Sequence, residues 1–335
     1  MKLGLLGFFG NNVRSRTDNL GIYRPESNRH IQIYNGKSRF YQFWGQKQVI
    51  SSSTLKTITG LTFKTDGTEV YILSDGDNTI YQYNLPIPWD ITSIPSITPT
   101  SSAELDSYLR TRTGNSYSLT VPTGVSISSD GSLMTIVDNY DRKIVQFTLS
   151  TPWDVSSRTF TNTTIDANRT LWLIPNCDLV SDICFSSTGN RLFTLVENTS
   201  NVMSVYQFNI NNSSLLFDIG TKGSPNYTYS SPSLDVSGLD TSMRGIAFNN
   251  DGTKFYLSGL QNGRIYDLST RIPFSWSVDY PVNYDEGDYL YDGFISGREG
   301  SPQAVAINTE ANSMDLYVVG TSTQNIIYQY KLIQR

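Results

Sequence analysis

A unit of roughly sixty residues returns five times in this chain of 335, and a repeat of that length dictates the architecture before any single residue does. Its first segment reads Gly60-Leu61-Thr62-Phe63, then Gly124-Val125-Ser126-Ile127, Asp182-Ile183-Cys184-Phe185, Gly245-Ile246-Ala247-Phe248 and Ala304-Val305-Ala306-Ile307. Apolar residues alternate with small or polar ones, the period of two that marks a β-strand. A turn follows each segment: Asp66-Gly67, Asp130-Gly131, Thr188-Gly189, Asp251-Gly252 and Ala311-Asn312. Gly or Asn takes positive φ there at little steric cost. The turns recur at spacings of 64, 58, 63 and 60 residues. A second alternating segment comes next, from Glu69, Leu133, Arg191, Lys254 and Asp315 onward, and then a third: Tyr81-Gln82-Tyr83, Val145-Gln146-Phe147, Tyr206-Gln207-Phe208, Ile265-Tyr266-Asp267 and Tyr328-Gln329-Tyr330. Three such segments joined by turns make an antiparallel meander.

More variable stretches lie between the meanders. Tyr117 to Val121, Thr170 to Ile174, Tyr227 to Ser231 and Tyr289 to Ile295 are expected to supply an outer fourth strand, and four antiparallel strands per unit make a propeller blade. The fifth unit stops at Leu332, three residues before the C-terminus, so its outer strand has to come from elsewhere. Residues 47–53, just upstream of the first inner strand, are expected to complete it. The chain therefore reads as an all-β, five-bladed β-propeller over residues 47–335, closed by an N-terminal strand that completes the C-terminal blade. Tyr41-Gln42-Phe43 looks like a further third strand but lies only 40 residues before Gln82. A degenerate sixth blade and a separate hairpin both remain open there.

The segment from Ile80 to Ile91, with Tyr81-Gln82-Tyr83 and Pro88-Trp89-Asp90-Ile91, and its counterpart ending in Pro152-Trp153-Asp154-Val155 carry a resemblance. They resemble β-propeller repeat proteins common in marine bacteria and their phages, in which an Asp-Gly-Thr turn and strand precede a Tyr-Gln-Tyr strand and a Pro-Trp-Asp loop. The similarity spans roughly residues 55–333. It is good in units one and two and partial in three to five. Unit four keeps Ile272-Pro273-Phe274-Ser275-Trp276, and unit five lacks the loop. The resemblance implies the fold, whereas propellers host many unrelated activities. At a repeated position Trp89 and Trp153 read as packing over the blade edge, with a sugar-stacking platform as the alternative. Asp90 and Asp154 are expected to accept local backbone N–H groups.

Little in the sequence supplies catalytic chemistry. The chain has one histidine, His30, outside every repeat, which removes histidine-dependent triads and multi-histidine metal centres. Neither a phosphate-binding loop nor a dinucleotide glycine fingerprint occurs. Cys177 and Cys184 form neither a disulfide framework nor a metal-ligand pattern and read as small core residues. Paired-carboxylate glycan hydrolysis would draw on Asp138, Asp141, Glu197, Asp285, Glu286 or Asp288, yet most of these sit in turns and no pair stands at equivalent inner positions. Asp75-Gly76-Asp77-Asn78, and Asp138 to Asp141 after it, alternate oxygen ligands as a Ca²⁺ loop does; a plain hairpin turn is the other reading. The expectation is a protein without enzymatic activity, cofactor or metal.

Charge divides the chain. Residues 1–50 hold eight Lys/Arg against two Asp/Glu, a net of +6, which leaves 17 basic and 28 acidic residues, a net of −11, in the remainder. Nucleic acid is a poor partner for so acidic a body. The apolar run from Leu3 to Gly10 fits a secretory signal poorly, and no stretch approaches the roughly 20 apolar residues of a membrane span. Residues 1–46 read as an extended basic arm that orders on a partner, with Arg14, Arg16, Tyr23, Arg24, Arg29 and Tyr34 as its contact residues. A solvated tail, or extra strands covering the propeller edge, is the alternative. Together with the phage-type repeats, this gives the expectation of a virion protein synthesised in the host cytoplasm. Its arm would dock on other virion proteins, a capsid or tail scaffold, while the propeller is displayed for capsid decoration, as a head fibre or on the tail. It would contribute to host attachment through a surface glycan. The competing class is a carbohydrate-binding or carboxylate-dependent glycan-processing propeller.

Overall fold

In the computed structural model, residues 13–15, 20–24, 29–34, 37–49, 57–114, 118–166, 177–221, 224–277, 289–290, 299–310, 313–321 and 325–334 are described. They form a five-bladed β-propeller. Blade one is Ile58–Phe63, Glu69–Ser74, Thr79–Asn84 and Ser101–Glu104. Blade two is Pro122–Ile127, Leu133–Asp138, Lys143–Leu149 and Arg158–Asp166. Blade three is Cys177–Phe185, Arg191–Asn198, Met203–Ile210 and Tyr227–Asp235. Blade four is Met243–Phe248, Lys254–Gly259, Arg264–Ser269 and Tyr289–Leu290. Blade five takes Pro302–Glu310, Ser313–Gly320 and Ile326–Gln334 from the C-terminus and Lys37–Gln48 from the N-terminus. All pairings are antiparallel, and the innermost strands contact one another in sequence around a closed ring.

Closure follows the expected logic at a different place. The strand that completes blade five is Lys37–Gln48, not residues 47–53: Gln48 pairs with Ile326, Gln46 with Tyr328 and Tyr41 with Leu332. Tyr41-Gln42-Phe43 lies within this strand, so it belongs neither to a sixth blade nor to a hairpin apart from the ring. Beyond it, Arg29–Tyr34, Leu20–Arg24 and Val13–Ser15 continue the same sheet outward as an antiparallel meander. Of the readings open for the N-terminal segment, extra strands at the propeller edge is the one seen for these residues.

Two outer strands differ from expectation. In blades one and two they are Ser101–Glu104 and Arg158–Asp166, which pair with the third strand after the intervening loop. Ser118 to Val121 instead leads directly into the next inner strand, and Thr170 to Ile174 lies outside the described residues. In blade one a short helix, Asp106–Thr113, fills the return path and buries Leu109. Polar residues on most of its faces hide it from a search for apolar periodicity.

The core is divided into five wedges, one at each interface between neighbouring blades. Ile72, Tyr81 and Tyr83 of blade one meet Ala304, Tyr317 and Val319 of blade five. Leu73 and Ile80 meet Val125 and Ile136 at the next interface. Phe193 and Leu195 meet Ile246 and Phe255 between blades three and four. Alternating strand residues therefore face two different partners, one blade on each side, which is why both phases of these strands are apolar.

Candidate functional site

The repeated loop that carries the Trp-Asp pair builds one face of the ring. Trp89 N–H donates to the carbonyl of Gly67 at 2.9 Å, Trp153 to Gly131 at 3.0 Å, Phe217 to Gly189 at 3.0 Å and Phe274 to Gly252 at 2.8 Å. Each aromatic residue has positive φ, between 53° and 68°, and so has each glycine. A Cβ on any of these glycines would overlap the aromatic ring above it. Bulky residues rarely adopt this backbone region; the hydrogen bond and the ring seated on glycine hold it in place. Trp89 and Trp153 are thus packing groups over the turns. Phe217 and Phe274 do the same work in blades three and four, and Phe217 escapes a search for tryptophan. Asp90 Oδ1 accepts from Thr92 N–H at 2.9 Å and Asp154 Oδ1 from Ser156 N–H at 2.9 Å, each capping a 3₁₀ turn.

The glutamine of the third strand joins each loop to the blade before it. Gln146 Nε2 donates to Phe217 O at 2.8 Å while its Oε1 accepts from Ile219 N–H at 3.3 Å. Gln82 Oε1 accepts from Val155 N–H at 3.3 Å, and Gln207 Nε2 donates to Trp276 O at 2.7 Å. Gln329 repeats the pattern across the closure, donating to Trp89 O at 2.7 Å and accepting from Ile91 N–H at 3.1 Å. Blade four has Asp267 at this position, ion-paired with Lys254 at 2.8 Å. The blade that follows it is the one without the loop.

Inside the ring lies a cavity of about 390 Å³, within the size range of small-molecule sites. Phe63, Phe185 and Phe248, with Ile127 and Ile307, line it from the inner strands, and Trp89, Phe217 and Phe274 reach it from the loops. The aromatic residues come in pairs: Phe63 with Trp89 at 5.3 Å, Phe185 with Phe217 at 5.4 Å and Phe248 with Phe274 at 5.3 Å between ring centroids. Small residues at the alternate positions, Thr62, Ser126, Cys184, Ala247 and Ala306, leave the channel open. Exposed Thr65, Ser129, Ser187 and Asn250 form its mouth.

Asp182 is the one charged residue among the described residues that line this cavity. It occupies the position held by Gly60, Gly124, Gly245 and Ala304 in the other blades and is 7% exposed. Its Oδ1 accepts from Ile183 N–H and its Oδ2 from Ile246 N–H of the next blade, both at 2.8 Å. Gly124 of the preceding blade lies so close that a Cβ there would strike the carboxylate. Burial outweighs these two hydrogen bonds and pushes the carboxyl up to about 8. Cys184, two residues on, is free, and burial raises its thiol.

The remaining acidic candidates are mostly structural where described. Asp138 is fully buried and accepts from the N–H groups of Thr120, Val121 and Asp141, tying the turn to the chain entering the blade. Asp141 accepts from Ser118 and Thr120 hydroxyls. Asp77 accepts from the Tyr81 hydroxyl in its own hairpin. Among the described residues no three His, Cys, Asp or Glu side chains converge as a metal site. Glu197 is partly buried with its carboxyl raised by burial, and the field of Arg244 opposes that shift. Asp285, Glu286 and Asp288 lie outside the described residues. Of the arm residues, Arg14, Tyr23, Arg24, Arg29 and Tyr34 fall on the three strands beyond Lys37–Gln48, and Arg16 lies outside the described residues. No helix among the described residues is long and apolar enough to cross a membrane.

No protein-family model and no curated protein matches the sequence. Solved structures resemble it in fold. The β-propeller domain of Cps50 (Swd1) from Myceliophteria thermophila is 12% identical over 95% of this chain and 98% of that one, with a TM-score of 0.43. A chain of a nidogen/laminin complex is 12% identical over 86% of this chain and 87% of that one, with a TM-score of 0.42. A candidate 6-phosphogluconolactonase from Bacteroides fragilis is 11% identical over 77% of this chain, with a TM-score of 0.39, and this chain spans 65% of its length. These likenesses concern the fold alone.

Proposed function

We propose that this chain is a non-enzymatic recognition and structural protein of a bacteriophage particle, held to its scaffold by the N-terminal strands and displaying the propeller outward. The observation that carries the reading is the sheet of blade five. Val13–Ser15, Leu20–Arg24 and Arg29–Tyr34 extend it past the four strands that a blade requires. Val13–Ser15, the outermost of these among the described residues, presents a sheet edge of backbone N–H and C=O groups, the feature that strand addition by a partner uses. Residues 1–36 hold five Lys/Arg against two Asp/Glu, a net basic charge that suits an acidic partner surface. The channel presents one carboxylate among its described lining residues, whereas paired-carboxylate hydrolysis requires two; this favours binding over reaction.

Residues 1–36 can be removed while every residue of the closing strand and its pairing with Ile326–Gln334 is kept, so the test separates docking from folding. Purified particles made with the full chain should contain it in stoichiometric amounts by quantitative mass spectrometry. Particles made with the 37–335 chain should lack it. Absence of the full chain from particles, or incorporation of the truncated chain, overturns the proposal. A high copy number assigns it to capsid decoration and a low one to the tail.

A further inference from the structure

We propose that the central channel is a binding site for a small organic cation, a solute carrying a tertiary or quaternary alkylammonium group. Three aromatic pairs border the cavity, and ring faces carry the negative end of the aromatic quadrupole. The charged side chain among the described lining residues is an acid, and no lysine, arginine or histidine is among them. An anion would therefore meet a carboxylate and ring faces, while a neutral solute would gain no charge compensation from either.

The repeat shows where the structure departs from its own pattern. Four blades place glycine or alanine at the position of Asp182 and still close the ring. Blade three instead sinks a carboxylate between Gly124 and Ile246, where burial disfavours its charge. Each oxygen accepts one backbone N–H at 2.8 Å, and a carboxylate oxygen has room for a second interaction. A bound cation would compensate the buried charge directly. The carboxyl proton would then leave to solvent as the cation enters, so binding strengthens as pH rises toward the carboxyl's own titration. The titratable groups on the neighbouring strands are Cys177, Asp178, Cys184, Arg191, Glu197 and Arg244, and the Asp182 charge adds to burial in raising the Cys184 thiol.

The mouth agrees with this choice. Asp130 and Asp251, in the turns beside Ser129 and Asn250, are held below the usual carboxylate range by hydrogen bonds from Ser128 and Ser132 and from Thr253. They remain ionised at neutral pH and favour entry of cations over anions. A ligand with an attached phosphate should bind less well than the same ammonium alone.

The test is titration calorimetry on the full chain at pH 8 with tetramethylammonium, choline, phosphocholine and 3,3-dimethylbutan-1-ol, the uncharged carbon counterpart of choline. Choline is expected to bind at least about tenfold more tightly than the uncharged alcohol, and phosphocholine more weakly than choline. Asp182→Asn should abolish the preference for charge, and Phe248→Leu should weaken choline several-fold with little effect on the alcohol. Equal affinity for choline and its uncharged counterpart, tighter binding of phosphocholine, or no saturable heat at millimolar choline overturns the proposal. The comparison on the unaltered chain decides the matter even if Asp182→Asn does not fold. The outcome is independent of whether the protein enters particles.

Discussion

Gln329 and Trp89 stand 240 residues apart in the chain, and the glutamine carboxamide donates to the tryptophan carbonyl at 2.7 Å. With Ile91 N–H returning to the same side chain at 3.1 Å, this contact fastens the last blade to the first. Gln82, Gln146 and Gln207 make the corresponding contacts at three other interfaces. The ring is thus a chain of apolar wedges fastened on one face by glutamines.

Gln329→Ala should therefore destabilise the protein by about 1–3 kcal/mol, because it strands the buried Ile91 N–H as well as losing the bonds, while the Trp89 carbonyl keeps the Tyr317 hydroxyl at 2.6 Å. Asp267→Ala in blade four, which faces no such loop, should cost less, because the partly exposed Lys254 can turn to solvent. Urea unfolding of both variants checks the difference, and equal losses would remove the fastening role.

The turn glycines give a second contrast. Gly67 has φ +72° and lies under Trp89, whereas Gly114, with φ +59°, has nothing within 4 Å of its missing Cβ. Gly114→Ala should cost about 1 kcal/mol, the backbone strain alone. Gly67→Ala should cost clearly more, because the tryptophan must also move. Thermal unfolding midpoints compare the two directly.

Asp182 makes stability depend on pH in a direction opposite to that of most carboxylates. Its ordinary value is 3.8 and its folded value about 8, so the native state keeps a proton that the unfolded chain has released. Its contribution is complete below the lower value and is lost as pH rises between the two, by at most about 1.4 kcal/mol per unit. Asp182→Asn has no such slope. The variant should be less stable than the parent at pH 5, since one amide oxygen replaces two acceptors, and the gap should narrow or invert by pH 9. A gap independent of pH would show that Asp182 does not titrate in this interval.

Truncation separates the closing strand from the strands outside it. The 37–335 chain should unfold near the midpoint of the full protein. The 49–335 chain should lose several kcal/mol or aggregate, because it bares the edge of Ile326–Gln334 and the N–H and C=O groups along it. Gel filtration and denaturation distinguish the two outcomes.

Much of the fold was legible from the repeat. Alternation located the inner three strands of every blade, the glycine turns marked the first hairpin of blades one to four, Ala311-Asn312 lying outside the described residues, and the missing outer strand of unit five announced closure by the N-terminus. The first two outer strands and the position of the closing strand were not legible, because those segments alternate weakly and their partners are fixed by register rather than by local preference. The helix Asp106–Thr113 carries no clear apolar stripe. The site was harder still. Asp182 was visible as the first residue of an inner strand, yet its burial and its two backbone donors come from blades two, three and four together.

The amino-acid order alone determined a five-fold meander, its turns and its apolar phases, since these are local consequences of side-chain size and backbone preference. The glutamine of the third strand was equally plain as a repeated letter in four units, and so was the loop missing from unit five. Only the tertiary structure joined those two facts, because the glutamine acts on the next blade rather than on its own. The same holds for the channel: a carboxylate acquires its character from what excludes water around it, and in a ring that exclusion exists only once all five blades have closed.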